Sequence, residues 1–186
     1  DNEHMIWIAS LGNGVFKYDP IKKTYKRYTH IPGDPTTLSS NSVSDIMQDS
    51  RARLWFSTDR GGICLYDKEK DIFKTYSLKE GLPDDVAYRI LEDKSNNLWF
   101  GTNRGLVKFN PDTEAIRVYT KQDGLLGNQF NYKSAIIDNN GKFYFGNIEG
   151  LIAFNPEKEI INEFNPPLYI TKFNIYNNEI SVHSDN

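Results

Sequence analysis

Apolar triplets recur along the chain at a nearly fixed interval. Ile6-Trp7-Ile8, Leu54-Trp55-Phe56, Leu98-Trp99-Phe100 and Phe143-Tyr144-Phe145 are spaced by 48, 44 and 45 residues. Each is followed by a small-polar stretch that closes on glycine, at Gly14, Gly62, Gly105 and Gly150. A second apolar run comes next: Val15-Phe16-Lys17-Tyr18, Ile63-Cys64-Leu65-Tyr66, Leu106-Val107-Lys108-Phe109 and Leu151-Ile152-Ala153-Phe154. Every one of these runs straight into Asp19, Asp67, Asn110 or Asn155. Third, aromatic-bearing runs lie at 25–28, 73–76 and 116–119, and further apolar runs precede the triplets at 43–47, 86–91 and 134–137.

Runs of 4–6 residues, rich in β-branched and aromatic side chains and bounded by Gly, Pro, Asn and Asp, predict strands. No amphipathic 3.6-residue pattern persists over 12 positions, so a helical repeat fails. Asp49, Asp93 and Asp138 each stand five residues before a triplet, where a carboxylate can accept backbone N–H groups of the following turn. Asn139-Asn140-Gly141 supplies residues that tolerate positive φ in a hairpin. Four strands per roughly 45 residues is the arithmetic of a propeller blade. Solid apolar triplets fit strands buried on both faces between stacked blades. The expectation is an all-β fold, a β-propeller fragment of about four four-stranded antiparallel blades at 5–28, 38–77, 81–120 and 124–164. Blade 1 lacks its first strand, and the fourth strand of blade 4 is weak, around 160–164. Four blades is the low end for a ring, so the expectation is a segment of a larger, seven-bladed one. Its terminal blades would then self-associate or pair with further blades, because they expose strand edges and apolar faces.

The pattern Asn-x-Val-x-x-Ile-x-x-Asp, then Leu-Trp-Phe-Gly-Thr, then Gly-Leu-x-x-Phe-Asn resembles the two-component regulator propeller repeat. Blade 3 carries it through Ile90, Asp93, residues 98–102 and residues 105–110. Blade 2 carries Asn41, Val43, Ile46, Asp49 and residues 54–58. Gly81-Leu82-Pro83 and Gly124-Leu125-Leu126 resemble the Gly-Leu step before each blade. Blade 4 departs, with Tyr144 for Trp and Asn147 for Thr. The stretch around Pro166-Pro167, at 165–186, resembles the linker and first strand of an Ig-like Tyr-rich domain. The resemblance implies the periplasmic sensor half of a hybrid two-component sensor histidine kinase, without a cofactor. It also implies an oligosaccharide or glycan-fragment ligand, with the remaining blades and the Ig-like domain as partners within the parent chain.

Composition narrows the function further. The chain has 186 residues, 22 basic and 25 acidic side chains and a formal net charge of −3, which argues against a polybasic nucleic-acid or membrane-surface binder. No run of 18 apolar residues predicts a transmembrane helix, and the polar residues 1–4 offer no secretory-leader pattern, as a mature or trimmed chain also would not. One cysteine excludes an internal disulfide and a cysteine-rich zinc site.

The catalytic inventory is thin. His4, His30 and His183 share no metal-ligand spacing. Cys64 matches Phe16, Val107 and Ile152 and reads as a small core residue. Gly12-Asn13-Gly14 lacks the following helix a phosphate cradle needs. Asp84-Asp85 reads as a solvated loop pair rather than a glycosidase pair, and residues 138–141 as a turn rather than a calcium loop. No catalytic or metal residue is assigned, and no enzymatic activity is expected. Trp7, Trp55, Trp99 and Tyr144 share one position in each blade, which marks a repeat core rather than a sugar platform. The binding candidates lie in the loops joining second to third strands and the loops joining blades: Asp59, Arg60, Asn103, Arg104, Asn128, Gln129, Asn131, Tyr132, Asn147 and Glu149. Arg, Asn, Gln and Tyr suit hydroxyl-rich or acidic ligands.

Overall fold

The structure is a computed structural model that describes residues 1–158 and the backbone of two short strands further on. Four antiparallel sheets follow one another along the chain. Blade 1 holds β1 (Ile6–Ser10), β2 (Gly14–Asp19) and β3 (Thr24–Tyr28) in sequential order. Blade 2 holds β4 (Val43–Gln48), β5 (Leu54–Thr58), β6 (Ile63–Asp67) and β7 (Ile72–Tyr76). Blade 3 holds β8 (Ile90–Glu92), β9 (Leu98–Gly101), β10 (Leu106–Phe109) and β11 (Ile116–Tyr119). Blade 4 holds β12 (Phe130–Ile137), β13 (Phe143–Asn147) and β14 (Gly150–Phe154). A separate pairing joins β15 (Asn174–Ile175) to β16 (Asn178–Glu179). The weak strand at 160–164, most of the 165–186 linker and His183 lie outside the described residues.

The first hairpin of each blade is built around one carboxylate. Asp93 Oδ1 accepts from Ser95 N (2.9 Å) and Asn97 N (2.8 Å), while Oδ2 accepts from Trp99 Nε1 (2.8 Å). Asp49 repeats this with Arg51 N, Arg53 N and Trp55 Nε1, at 3.0, 2.8 and 2.9 Å. Asp1 does the same for Glu3 N, Met5 N and Trp7 Nε1, and Asp138 for Asn140 N, Lys142 N and Tyr144 Oη. Three residues after each Asp the backbone turns left-handed, at His4, Ala52, Asn96 and Gly141. A cation covers each ring: Lys17 over Trp7, Arg53 over Trp55, Lys108 over Trp99 and Lys142 over Tyr144. The ring is therefore fixed at its N–H or O–H edge and capped on a face.

Each pinned ring looks toward the following blade. Trp55 packs with Ile63 and Tyr76 of its own blade against Leu98, Phe100, Val107 and Phe109 of blade 3. Trp99 and Leu106 do the same against Phe143, Phe145 and Ile152 of blade 4, and Trp7 and Val15 against Phe56, Cys64 and Phe73 of blade 2. Because alternate strand residues face opposite ways, each central strand feeds two cores, and β5 is buried at all five positions. A buried aromatic removes roughly 150–250 Å² from water, worth about 4–6 kcal/mol as an upper estimate. Packing is close enough that a Cβ on Gly101 would lie 2.4 Å from that of Phe130 in the next blade.

Trp55 and Trp99 are fully enclosed, but Trp7 and Tyr144 are only half-buried. Blade 1 has no strand inside β1, which leaves one side of Trp7 open. Tyr144 faces the side of blade 4 on which no further blade is described. The same logic exposes Ile6, Ile8 and Tyr25 on blade 1 and Ile136 and Leu151 on blade 4.

A second recurring contact ties the outer edges. Asp71, at φ 59°, accepts from Tyr66 Oη (2.6 Å) in its own blade, from Tyr28 Oη (2.7 Å) in blade 1, and from Lys26. Burial raises its pKa, but the bonds from Lys26, Tyr66 and Tyr28 outweigh that and hold it at about 2. Glu114, also left-handed, takes Tyr76 Oη (3.0 Å) and Lys74 Nζ (2.5 Å) across the next interface.

Two measurements follow. Asp93→Asn would turn an NH₂ group toward the buried Trp99 N–H, which can only donate, and is expected to cost about 2–4 kcal/mol. Asp138→Asn faces the Tyr144 hydroxyl, which can also accept, and should cost under about 1 kcal/mol. Urea midpoints of the two variants check the difference, and equal losses would refute the role given to the indole. For Asp71, the depressed folded pKa gives stability that is full above about pH 4 and is lost as pH falls toward about 2. Asp71→Asn should flatten the fall in unfolding free energy across that window, since the variant has no proton to take up there. An unchanged slope would remove Asp71 from the acid response.

Candidate functional site

The turns between second and third blade strands meet the connections between blades at one end of the sheets. Gly61 N and Gly62 N donate to Asp85 O, Gly12 N and Gly14 N to Asn41 O, and Ile148 N to Gln129 O. The two shorter connections are built alike. Ser77 and Glu80 form a capping box closed by Gly81 at φ 104°, and Thr120 and Asp123 form another closed by Gly124 at φ 95°. This explains the Gly-Leu step: glycine takes the left-handed turn and Leu82 drops into the core. A side chain further along then staples the connection to its own start. Asp85 Oδ1 accepts from Leu78 N (2.9 Å), Asn128 Oδ1 from Lys121 N (2.8 Å) and Asn41 Oδ1 from His30 N (2.7 Å).

Several expected binding residues are therefore committed to structure. Asn128 staples its connection. Asn147 is buried, with Nδ2 donating to Gly127 O (3.1 Å) and Oδ1 accepting from Glu149 N (2.8 Å). Glu149 pairs with Lys121 at 2.8 Å. Asp84 and Asp85, read as a solvated loop pair, are partly exposed, and each carboxylate also accepts one backbone N–H, from Val86 and Leu78 respectively. Cys64 is buried beneath Ser39 and Thr75, as expected of a small core residue. Gln129 and Arg104 are exposed at the rim.

Asn131 and Tyr132 do not lie in a loop. They belong to β12, where four residues between Phe130 and Ala135 stand opposite Gly146 alone. In blade 2 only Ser44 and Asp45 occupy the matching interval, between Val43 and Ile46. Blade 4 thus carries a two-residue bulge, with Lys133 left-handed at φ 51°. Bulges re-aim side chains, and this one sets the Tyr132 ring edge-on to Tyr88 of blade 3, with centroids 4.7 Å apart. Tyr88 Oη donates to Asn103 Oδ1 at 2.7 Å. Burial, then the Asp59 carboxylate of blade 2, push the Tyr132 hydroxyl pKa up, while Arg60 opposes them. Asp59, Arg60, Tyr88, Asn103 and Tyr132 therefore form one constellation drawn from three blades.

Behind it, on the inner strands, Asp45 accepts from Ile90 N (3.1 Å). Burial raises its pKa against the pull of that N–H, of Arg89 and of Lys133. Among the described residues no three His, Cys, Asp or Glu side chains gather as metal ligands. The cluster offers stacking surface, planar hydrogen-bonding groups and charge of both signs. It holds no nucleophile with a general base.

Tyr88 escaped the sequence reading because the loops were searched and the inner strands were not. A signal existed. Val43 to Leu54 and Ala87 to Leu98 both span 11 residues, whereas Phe130 to Phe143 spans 13, so the insertion that displaces Tyr132 was countable.

Comparison with known proteins places these observations. The two-component regulator propeller family matches residues 37–60 and 81–104. The whole chain aligns at 28% identity with Histidine kinase P4 of Formosa agariphila, covering 17% of that protein. The extracellular domain of the hybrid two-component system BT3049 from B. thetaiotaomicron superposes with a TM-score of 0.81 at 26% identity, over 98% of this chain and 25% of that one. The corresponding domain of BT4673 from the same organism gives 0.70 at 28% identity, over 86% of this chain and 22% of that one. The chain thus spans a quarter or less of the length of these relatives.

Arg60 provides a test of the site independent of any ligand. Its φ is 67°, where blade 1 uses Gly12, and no salt bridge of its side chain is formed within the described residues. A left-handed non-glycine residue costs about 1–2 kcal/mol, against roughly 0.4–1 kcal/mol for the extra freedom glycine gives the unfolded chain. Arg60→Gly is therefore expected to raise stability by about 0.5–1 kcal/mol. A destabilised variant in urea unfolding would show that the arginine serves the fold.

Proposed function

We propose that this chain, which carries two-component regulator propeller repeats and is related to extracellular domains of hybrid two-component systems, is a ligand-sensing propeller segment of such a sensor histidine kinase. It works on the periplasmic side and recognises oligosaccharides or glycan fragments. The carrying observation is the Tyr132–Tyr88 pair flanked by Asp59, Arg60 and Asn103. Aromatic faces stack on the apolar side of a sugar ring, and carboxylate, guanidinium and amide groups satisfy its hydroxyls. A ligand touching three blades binds best when those blades hold one relative tilt, so occupancy favours one arrangement of the ring. That supplies a signal for the remaining parts of the parent protein. Further blades, in this reading, cover the apolar faces at Ile6, Ile8, Ile136 and Leu151.

The test is a glycan array displaying neutral and acidic oligosaccharides of two or more units, followed by calorimetry on the best ligand. Tyr132→Ala should weaken binding by at least about ten-fold, the loss of one stacking contact. It should leave the unfolding midpoint nearly unchanged, because the ring is half-exposed. No bound glycan, or binding indifferent to Tyr132, would refute the proposal.

A further inference from the structure

The tie at the outer edge of the blades changes sign at blade 1. In blade 2 the residue four beyond Asp67 is Asp71, and in blade 3 the residue four beyond Asn110 is Glu114. Both stand left-handed in the turn before the outermost strand, at φ 59° and 58°. Each accepts a lysine and a phenol from the outermost strand of the blade before it. Asp71 takes Lys26 and Tyr28 Oη (2.7 Å), and Glu114 takes Lys74 Nζ (2.5 Å) and Tyr76 Oη (3.0 Å). In sequence Glu159, four beyond Asn155, continues the series. Blade 1 instead has Lys23 four beyond Asp19, on the same left-handed backbone at φ 56°. The socket keeps its shape and reverses its charge.

A second cation stands on the same face. Along β3, Lys26 and Tyr28 reach forward to blade 2, so the alternate residues Tyr25 and Arg27 lie on the open side, where both contact Phe16. Register puts Arg27 opposite Phe16, as Thr75 is opposite Cys64 in blade 2 and Val118 opposite Val107 in blade 3. A guanidinium thus replaces a small uncharged side chain, and it donates only to Asn13 O (2.9 Å) and Asn13 Oδ1 (3.3 Å). Lys23 is exposed and enters no hydrogen bond or ion pair among the described residues. The acids of blade 1 are all engaged elsewhere. Asp1 holds Trp7, Glu3 pairs with Lys68 of blade 2, and Asp19 accepts from Ile21 N and Lys22 N of its own turn. The rest of the face is apolar, with Ile6, Ile8 and Tyr25 exposed.

From this reversal we infer that the open face of blade 1 docks an acidic neighbour: a preceding propeller blade whose outermost strand carries a carboxylate where β3 carries Lys26 and β7 carries Lys74. The inference rests on the reading of this chain as a segment of a larger ring and names the chemistry of the piece that adjoins it. Lysine has three donors and no acceptor. Against Lys23, a strand of the Lys-x-Tyr kind would set ammonium against ammonium and leave its phenol without an acceptor. A carboxylate restores the ion pair with its direction inverted, and Arg27 adds a second positive group to the same face. The sockets at 71 and 114 select basic strands and the one at 23 an acidic strand, so the ties also fix which blade follows which.

The experiment is carbodiimide cross-linking of the parent protein's propeller region, read by peptide mass spectrometry. The reagent activates a carboxylate, a touching lysine amine displaces it, and an amide forms with net loss of one water. Lys26–Asp71 and Lys74–Glu114 serve as internal standards, because both pairs are in contact. Lys23 should be found linked to an Asp or Glu of the strand that precedes Asp1 by one blade connection, at a yield comparable to the standards. K23E should abolish that link and lower the thermal midpoint of the region, and changing the linked acid to lysine should restore the midpoint. In the isolated chain K23E should leave the midpoint nearly unchanged, since nothing faces the residue there. Lys23 unlinked while both standards link, a link to a second copy in isotope-mixed protein, or no rescue by the charge swap would each overturn the proposal. An upstream blade with Lys or Arg at the matching position would refute this tie alone. An upstream segment that is no propeller blade would refute the larger ring as well. Glycan binding through Tyr132 is read separately on the array, so the sensing reading stands or falls independently of the cross-link.

Discussion

The carboxylate that starts each blade's first hairpin is the constraint on which the rest depends. One oxygen closes a turn by taking two backbone N–H groups, and the other holds the N–H or O–H of the central-strand aromatic six residues on. Local and long-range structure are thereby set by one side chain. The turn fixes the register of the hairpin, and the pinned ring fixes where the next blade can dock. Asp49 and Asp93 are buried, so desolvation would expel them were every lone pair not used. Satisfied as they are, they select one ring orientation where an apolar residue would allow several.

Period-two alternation does the remaining work. Leu54 and Phe56 look back to blade 1 while Trp55 looks forward to blade 3, so one strand belongs to two cores. No blade then has a core of its own, and the same code that buries the inner blades exposes Ile8 at one end and Leu151 at the other. The outer ties obey this too: Tyr28 reaches Asp71 and Tyr76 reaches Glu114, always into the following blade.

Much of this was legible because it is periodic. The aromatic column and the acids at 49, 93 and 138 could be aligned by counting, and their shared spacing carried the fold. Asp1 stood at the same offset and was passed over, since no earlier strand marked it as part of a hairpin. Binding residues were harder. Asn128 and Asn147 have the chemistry of sugar ligands and of backbone staples alike, and composition cannot choose between those roles. Tyr88 and Tyr132 meet only because a bulge turns one toward the other. Side-chain direction at a bulge depends on dihedral angles that residue type does not fix.

The departures from the repeat are more informative than the repeat itself. Three of them lie at the loop end: the lengthened connection ahead of blade 2, the arginine in a glycine conformation at 60, and the two inserted residues in β12. None improves packing. Arg60 strains the backbone, the bulge breaks a ladder, and the long connection adds loop to be ordered. Each nonetheless lies at the loop end of the sheets. Departures from a repeat that share the loop end, at residues drawn from neighbouring blades, are what a binding surface grafted onto a stable repeat should look like.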